Sequence, residues 1–188
     1  MKHESIEQAG AGHPYNIPPI ILTTVKFILD YGLESEGIFR LSPEVKAAEE
    51  VKKRLKSGVD FASLSTDPHC AAHILKEFLR SLPFPLIPIA MNKHLIEGAR
   101  ECVFSTKIAT YTRCLEQLPP PSLLSLLLLA FVVKEVVANA EANKMSFQAC
   151  GVVFGPCLIR YVMHAAFSLS LSLSLSLSPR LGSLSVSA

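Results

Sequence analysis

The segment SLLSLLLLAFVVKEVVANA is apolar on nearly every helical side between Leu123 and Val133. A helix that is hydrophobic all round needs other apolar surface to cover it. Its longest uninterrupted apolar run, Leu126 to Val133, falls far short of the roughly 18 residues that a membrane span requires. The sequence therefore predicts the central helix of a bundle and no membrane insertion. At 188 residues the chain is expected to form one domain with a sizeable core. About half of it is apolar, with no tryptophan and few aromatic residues, so that core should be mostly aliphatic.

Proline and glycine divide the remainder into helix-length pieces. Residues 1–16 are polar and read as a loose lead-in. Pro18-Pro19 opens a helix in which Ile21, Val25, Ile28 and Leu29 recur at three- and four-residue spacing, and Gly32 is its expected left-handed stop. Ser42-Pro43 is placed to start a second helix that ends at Gly58. Its charge run AEEVKKRLK reads as a solvated face with Glu–Lys pairs. Asp67-Pro68 opens a third helix, whose face Ala71, Ile74, Leu75, Phe78, Leu79 and Leu82 points inward. The rigid turn PFPLIP, 83–88, leads to a helix ending near Gly98, and another starts at Ser105. Pro119-Pro120-Pro121 precedes the apolar helix. Asn139 to Asn143 reads as a loosened stretch, and Ser146 caps a last helix that Gly155-Pro156 should interrupt or bend. The fold class is all-α, a single bundle of about seven helices with no convincing strand.

Charge and cysteine content narrow the function. A formal charge of +2 is too small for a protein whose main partner is nucleic acid. The five cysteines, Cys70, Cys102, Cys114, Cys150 and Cys157, form no C-x-x-C pair, which implies neither a disulfide framework nor a zinc site. MKHESIEQAG lacks the apolar stretch of a secretory signal, and a cytoplasmic protein is expected. His69 and His73 stand one helical turn apart, but no third ligand stands near at recognisable spacing, so no metal is expected. There is no Gly-rich phosphate loop and no Ser/His/Asp arrangement, so the chain is not expected to be an enzyme in its own right.

The stretch that stands out is EGIFRLSP, Glu36 to Pro43. Arg40 lies on a joint between two helices, anchored by Ile38, Phe39 and Leu41 and able to point outward. On the third helix, Lys76 and Arg80 fall on one face four residues apart. Two cations at that spacing repel slightly, so they suit either a solvated helix edge or an acidic surface opposite.

Three segments, GLESEGIFRLSP, DPHCAAHILKEFLRSLPFPLIP and NKMSFQACGVVFGPCLIR, occur in an order and spacing that resemble the RhoGAP domain. They span residues 17–160. The resemblance implies an all-helical module that stimulates GTP hydrolysis by Rho-family small GTPases. Arg40 then takes the place of the arginine finger supplied in trans. Lys76 and Arg80 are expected at the face that meets the GTP-bound GTPase, with Arg80 also placed to brace the finger loop, and Cys157 is counted with them as GTPase-binding. Glu36, Gly37 and Phe39 would shape and pack that loop. Cys157 stands where the family most often carries a GTPase-contacting asparagine, and a thiol is a weak donor and acceptor. The implied partner is a Rho-family GTPase bound by a monomer. No cofactor of the chain's own is implied, since GTP and magnesium belong to the partner. The alternative is a module of the same fold that docks the GTPase without accelerating it.

Residues 161–188 depart from this pattern. Ser and Leu alternate from Ser168 to Ser178. Two residue types specify neither register nor packing, so a low-complexity, disordered tail is expected rather than a strand. A run of CT dinucleotides would encode this repeat, which suggests a retained intron or an altered exon after about Arg160. The helical sequence with which the family continues is missing there.

Overall fold

The computed structural model describes residues 4–55, 61–64 and 67–160; the expected stop at Gly58 and the Ser/Leu tail lie outside them. Nine α-helices and no strand occur among the described residues. The lead-in is more ordered than expected. It holds α1 (Ile6–Ala9), closed by a reciprocal cap in which Ser5 and Gln8 each satisfy the other's backbone amide. Ile6 is buried in the core.

Helix α2 (Pro19–Tyr31) starts at a proline, whose missing amide is no loss in a first turn. It buries Ile21, Val25, Phe27 and Ile28. Gly32 follows, but its backbone is right-handed (φ −108°, ψ −8°), which corrects the expected left-handed stop. Glycine eases the packing there: a Cβ would stand 3.0 Å from the Ile28 carbonyl and 3.1 Å from Pro68 Cβ, tight enough that its neighbours would have to shift by a few tenths of an ångström. That close approach lets α4 (Pro68–Ser81) pack along α2. Asp67 caps α4 by accepting from the His69 amide at 2.9 Å.

Helix α3 (Val45–Leu55) begins later than Ser42-Pro43 suggested and buries only Ala48 and Val51. Its charged face is not wholly solvated. The Lys52 ammonium pairs with Glu77 on α4, and His73 Nε2 lies 3.9 Å from the same carboxylate. A 3-10 turn over Ile89–Met91 leads into α5 (Asn92–Arg100) and α6 (Phe104–Glu116), which form a hairpin packed chiefly on itself.

Helix α7 (Pro120–Ala138) only partly meets the expectation of a central helix. Ser125, Leu129, Val132 and Val136 sink into the core, whereas Leu127 and Phe131 are 51% and 48% exposed. Counted over all 19 residues, it is long and apolar enough to cross a membrane by length and composition, which the shorter Leu126–Val133 run did not reveal. Here its inner face packs against α2 and α9 (Phe147–Leu158). Residues 139–143 are not loose, since α8 (Ala140–Asn143) occupies them. Helix α9 runs through Pro156 without interruption.

The core lies where α2, α4, α7 and α9 meet around Ile21, Ile28, Ile74, Leu75, Val132 and Phe154. Each such side chain, fully buried, contributes about 1.5–3 kcal/mol of transfer free energy. Four of the five cysteines are buried and only Cys102 is exposed.

Candidate functional site: an arginine on a braced loop

The segment between α2 and α3 is a chain of tight turns. Ser35 donates back to Gly32, Ile38 to Ser35, and both Arg40 and Leu41 to Gly37, at 2.8–3.1 Å. Two of its residues have a left-handed backbone, Gly37 (φ 67°) and Phe39 (φ 68°). Gly37 meets this at no steric cost, and a Cβ there would also lie 2.7 Å from Leu41 Cγ and 3.5 Å from Arg40 Nη2. Phe39 is a different case. A bulky residue at positive φ costs on the order of 1–3 kcal/mol and persists only where its surroundings hold it.

Three contacts do so. The Phe39 ring is fully buried and meets Phe154 of α9 edge-on, with centroids 4.8 Å apart. Lys76 of α4 donates its ammonium to the Phe39 carbonyl. Gly37 donates its amide to the Asn143 carbonyl at 2.7 Å. Asn143 is itself fixed, with Nδ2 donating to the Leu33 and Val136 carbonyls at 2.6 Å each and Oδ1 accepting from the Met145 amide at 2.8 Å. It is fully buried, and it ties α2, α7 and the loop to one point. Ile38 and Phe39 are buried as anchors of the loop, whereas Leu41, expected as a third anchor, is exposed together with Arg40.

Lys76 is only 8% exposed. Burial, with Arg80 acting in the same sense, lowers its ammonium pKa. The resemblance gave both Lys76 and Arg80 to the partner-facing side, with a bracing role for Arg80. In the structure it is Lys76 that bonds the loop, and the exposed Arg80 places Nη1 3.8 Å from Cys157 Sγ. Cys157 is buried and also donates to the Val153 carbonyl at 3.4 Å. Burial raises its thiol pKa, partly offset by Arg80 and Lys76. Glu36 is exposed, and its carboxylate has no contact that would shape the loop among the described residues.

Asn143 was missed by sequence reasoning, which saw only a loosened stretch. Its one available signal was an asparagine bordering the apolar α7, since buried amides usually bond backbone. His69 and His73 are not brought into any group of three metal-capable side chains among the described residues.

The fold and site thus define an all-helical bundle that braces a loop from behind and leaves Arg40 exposed on it. The chain belongs to the RhoGAP domain family, whose pattern matches residues 18–162. It is 33% identical over 157 residues to Rho GTPase-activating protein gacJJ of Dictyostelium discoideum, covering 82% of this chain and 18% of that protein. It is 32% identical over 155 residues to human Rho GTPase-activating protein 1, covering 81% of this chain and 35% of that protein. The chain thus spans about a fifth to a third of these relatives. The fold resembles the crystal structure of human Rho GTPase-activating protein 15 with a TM-score of 0.80 and 24% identity, over 93% of this chain and 87% of that one.

Proposed function

We propose that this chain activates a Rho-family small GTPase by supplying Arg40 to its nucleotide site. The observation that carries the reading is the exposed guanidinium on a backbone fixed by Lys76, Phe154 and Asn143, in a chain of the RhoGAP family. As the γ-phosphoryl group passes to water, negative charge gathers on the bridging and equatorial oxygens. Arginine presents a planar donor fork that stays protonated and can meet that charge in two places. A finger of this kind accelerates hydrolysis by about 10³ to 10⁵, or about 4 to 7 kcal/mol of barrier. The nucleotide, its magnesium and the attacking water belong to the partner, which is bound in its GTP state. The chain hydrolyses nothing alone.

Pre-set geometry is what the bracing would contribute. A loop already fixed in the bound conformation loses little entropy on docking, so more of the interaction acts on the barrier. Leu41 and Val45, 49% and 68% exposed, flank Arg40 and offer apolar contact to the GTPase surface. Single-turnover GTP hydrolysis by Rho and Rac, with the native chain and with Arg40→Ala, tests the reading. Acceleration of at least 10³-fold that vanishes in the variant is expected. No acceleration by the native chain, or equal acceleration by the variant, overturns it.

A second reading, docking without acceleration, is favoured by Cys157. Its thiol is spent on Val153 and Arg80 and makes no bond to Arg40 among the described residues. A chain that binds the GTP-loaded partner yet leaves its hydrolysis rate unchanged fits this reading and excludes the first.

A further inference from the structure

Helix α4 ends without the usual backbone cap. Leu82 turns out of the helix (φ −57°, ψ 139°), and Pro83 and Pro85 in the following turn carry no amide to bond the last carbonyls. A side chain from elsewhere takes that place. Arg160, just beyond α9, donates Nη1 to the Pro83 carbonyl at 2.7 Å and Nη2 to the Arg80 carbonyl at 3.0 Å and to the Leu82 carbonyl. One guanidinium thus satisfies three carbonyls at the negative end of a helix dipole, where a cation is favoured.

The return path is equally specific. The Ile87 amide donates to the Leu158 carbonyl at 3.1 Å, and Arg80 Nη1 reaches Cys157 Sγ at 3.8 Å. Arg80 therefore touches α9 with its side chain while its own carbonyl is held by Arg160, two residues past the end of α9. The ends of α4 and α9 form a closed clasp. The clasp lies four residues beyond Lys76, one turn of the same helix. Of the three carbonyls, that of Arg80 lies in the last turn of α4 and those of Leu82 and Pro83 in the chain leaving it, so the cap ties the end of the helix to its exit turn.

We propose that Arg160 is a positioning residue of the GTPase-facing site: it holds the last turn of α4 so that Arg80 keeps its place beside Cys157 and Lys76 its place behind the Arg40 loop. The proposal rests on the activator reading for its consequence in rate, but not for its consequence in geometry. Arg160 itself does not reach the Arg40 loop.

The test compares the full chain with Arg160→Ala, Arg160→Gln and Arg160→Lys, with the exposed Arg100→Ala on α5 as a control. The side-chain NMR signals of Arg80 and Lys76 and amide exchange over Leu79–Leu82 are read first, without any GTPase. The Ala and Gln variants should shift or broaden both signals and exchange the last turn about tenfold faster, with Lys intermediate because it offers a point charge rather than a fork. In single-turnover hydrolysis at saturating chain, the Ala variant should lower the plateau rate about tenfold at equal folded fraction, well below its melting temperature. Arg100→Ala should match the native chain in every readout. Unchanged Arg80 and Lys76 signals overturn the proposal, as does an unchanged plateau in a chain that does accelerate hydrolysis. If the native chain accelerates nothing, the activator reading fails, and the NMR signals still decide whether Arg160 positions the two cations. Should Ala fail to fold, the Gln and Lys variants carry the same comparison.

Discussion

The finger-loop side of the molecule and the α5–α6 hairpin are built to different standards. Around the loop, the buried Lys76 and Asn143 bond backbone at Phe39 and at Leu33 and Val136, and the exposed Arg160 ties the end of α4 to the end of α9. The hairpin has little of this. Helix α6 buries only Cys114, Phe104 and Ile108 are exposed, and the buried Met91, Cys114 and Leu118 stand apart from the main core. Its closest fit is internal, where a Cβ at Gly98 would meet Tyr111 Cε1 at 2.9 Å. Apolar burial supplies cohesion in both regions. Among the described residues, the hairpin's side-chain bonds to backbone span four residues or fewer, whereas those of the first region reach far along the chain and fix the position of a loop rather than merely its adherence.

Truncation of isoleucine breaks the comparison most sharply. Ile74→Ala, in the core face of α4, should cost about 2–5 kcal/mol, while Ile108→Ala on the hairpin should cost about 0.5 kcal/mol or less. Denaturant melts check both, and similar losses would erase the distinction. Asn143→Ala strands the Leu33 and Val136 carbonyls and should cost about 2–4 kcal/mol, although it removes few apolar contacts. The same melts, with amide exchange at Gly37, would show whether the loop loosens with it.

Smaller effects sharpen the picture. Lys76→Met leaves the Phe39 carbonyl unpaired and should lower the saturated hydrolysis rate about tenfold, with little change in the salt dependence of binding. A large fall in salt sensitivity would return Lys76 to the interface. His73 should give the smallest signal. Burial, with Lys76, Arg80 and Lys52 nearby, lowers its pKa against the opposing pull of Glu77. The unfolded chain therefore binds its proton first, and stability should fall as pH drops below about 6.5 toward the lower folded value. His73→Gln should flatten thermal melts over that window, and identical slopes would refute the assignment.

Much of this was legible in the sequence, for reasons that can be named. Proline and glycine mark helix ends through local backbone sterics, so α2, α4, α6 and α7 were placed within a few residues. Arg40 was legible because a lone cation stands among apolar residues at the joint of two helices, in a segment that resembles the family's finger loop. Directions of long side chains were not. Lys76 and Arg80 share a helical face, and which of them turns inward depends on a carbonyl 37 residues away for Lys76. Phe39 was invisible as a left-handed residue, since nothing local favours that conformation in an aromatic. Asn143 and Arg160 act on backbone atoms far along the chain, and backbone carbonyls carry no trace of their partners in residue type. Gly32 was assigned the right place for the wrong reason: the helix stops there with a right-handed backbone, and what favours a small residue is the close approach of Pro68.

The distribution of thiols gives the molecule a built-in reporter. Cys102 lies open at the joint of α5 and α6, while Cys70, Cys114, Cys150 and Cys157 are enclosed, and burial raises the Cys150 pKa to about 11. A maleimide dye should therefore label one position quickly and the other four only when the bundle opens. Counting labels over time would follow the unlocking of the core, thiol by thiol, in an unmutated chain.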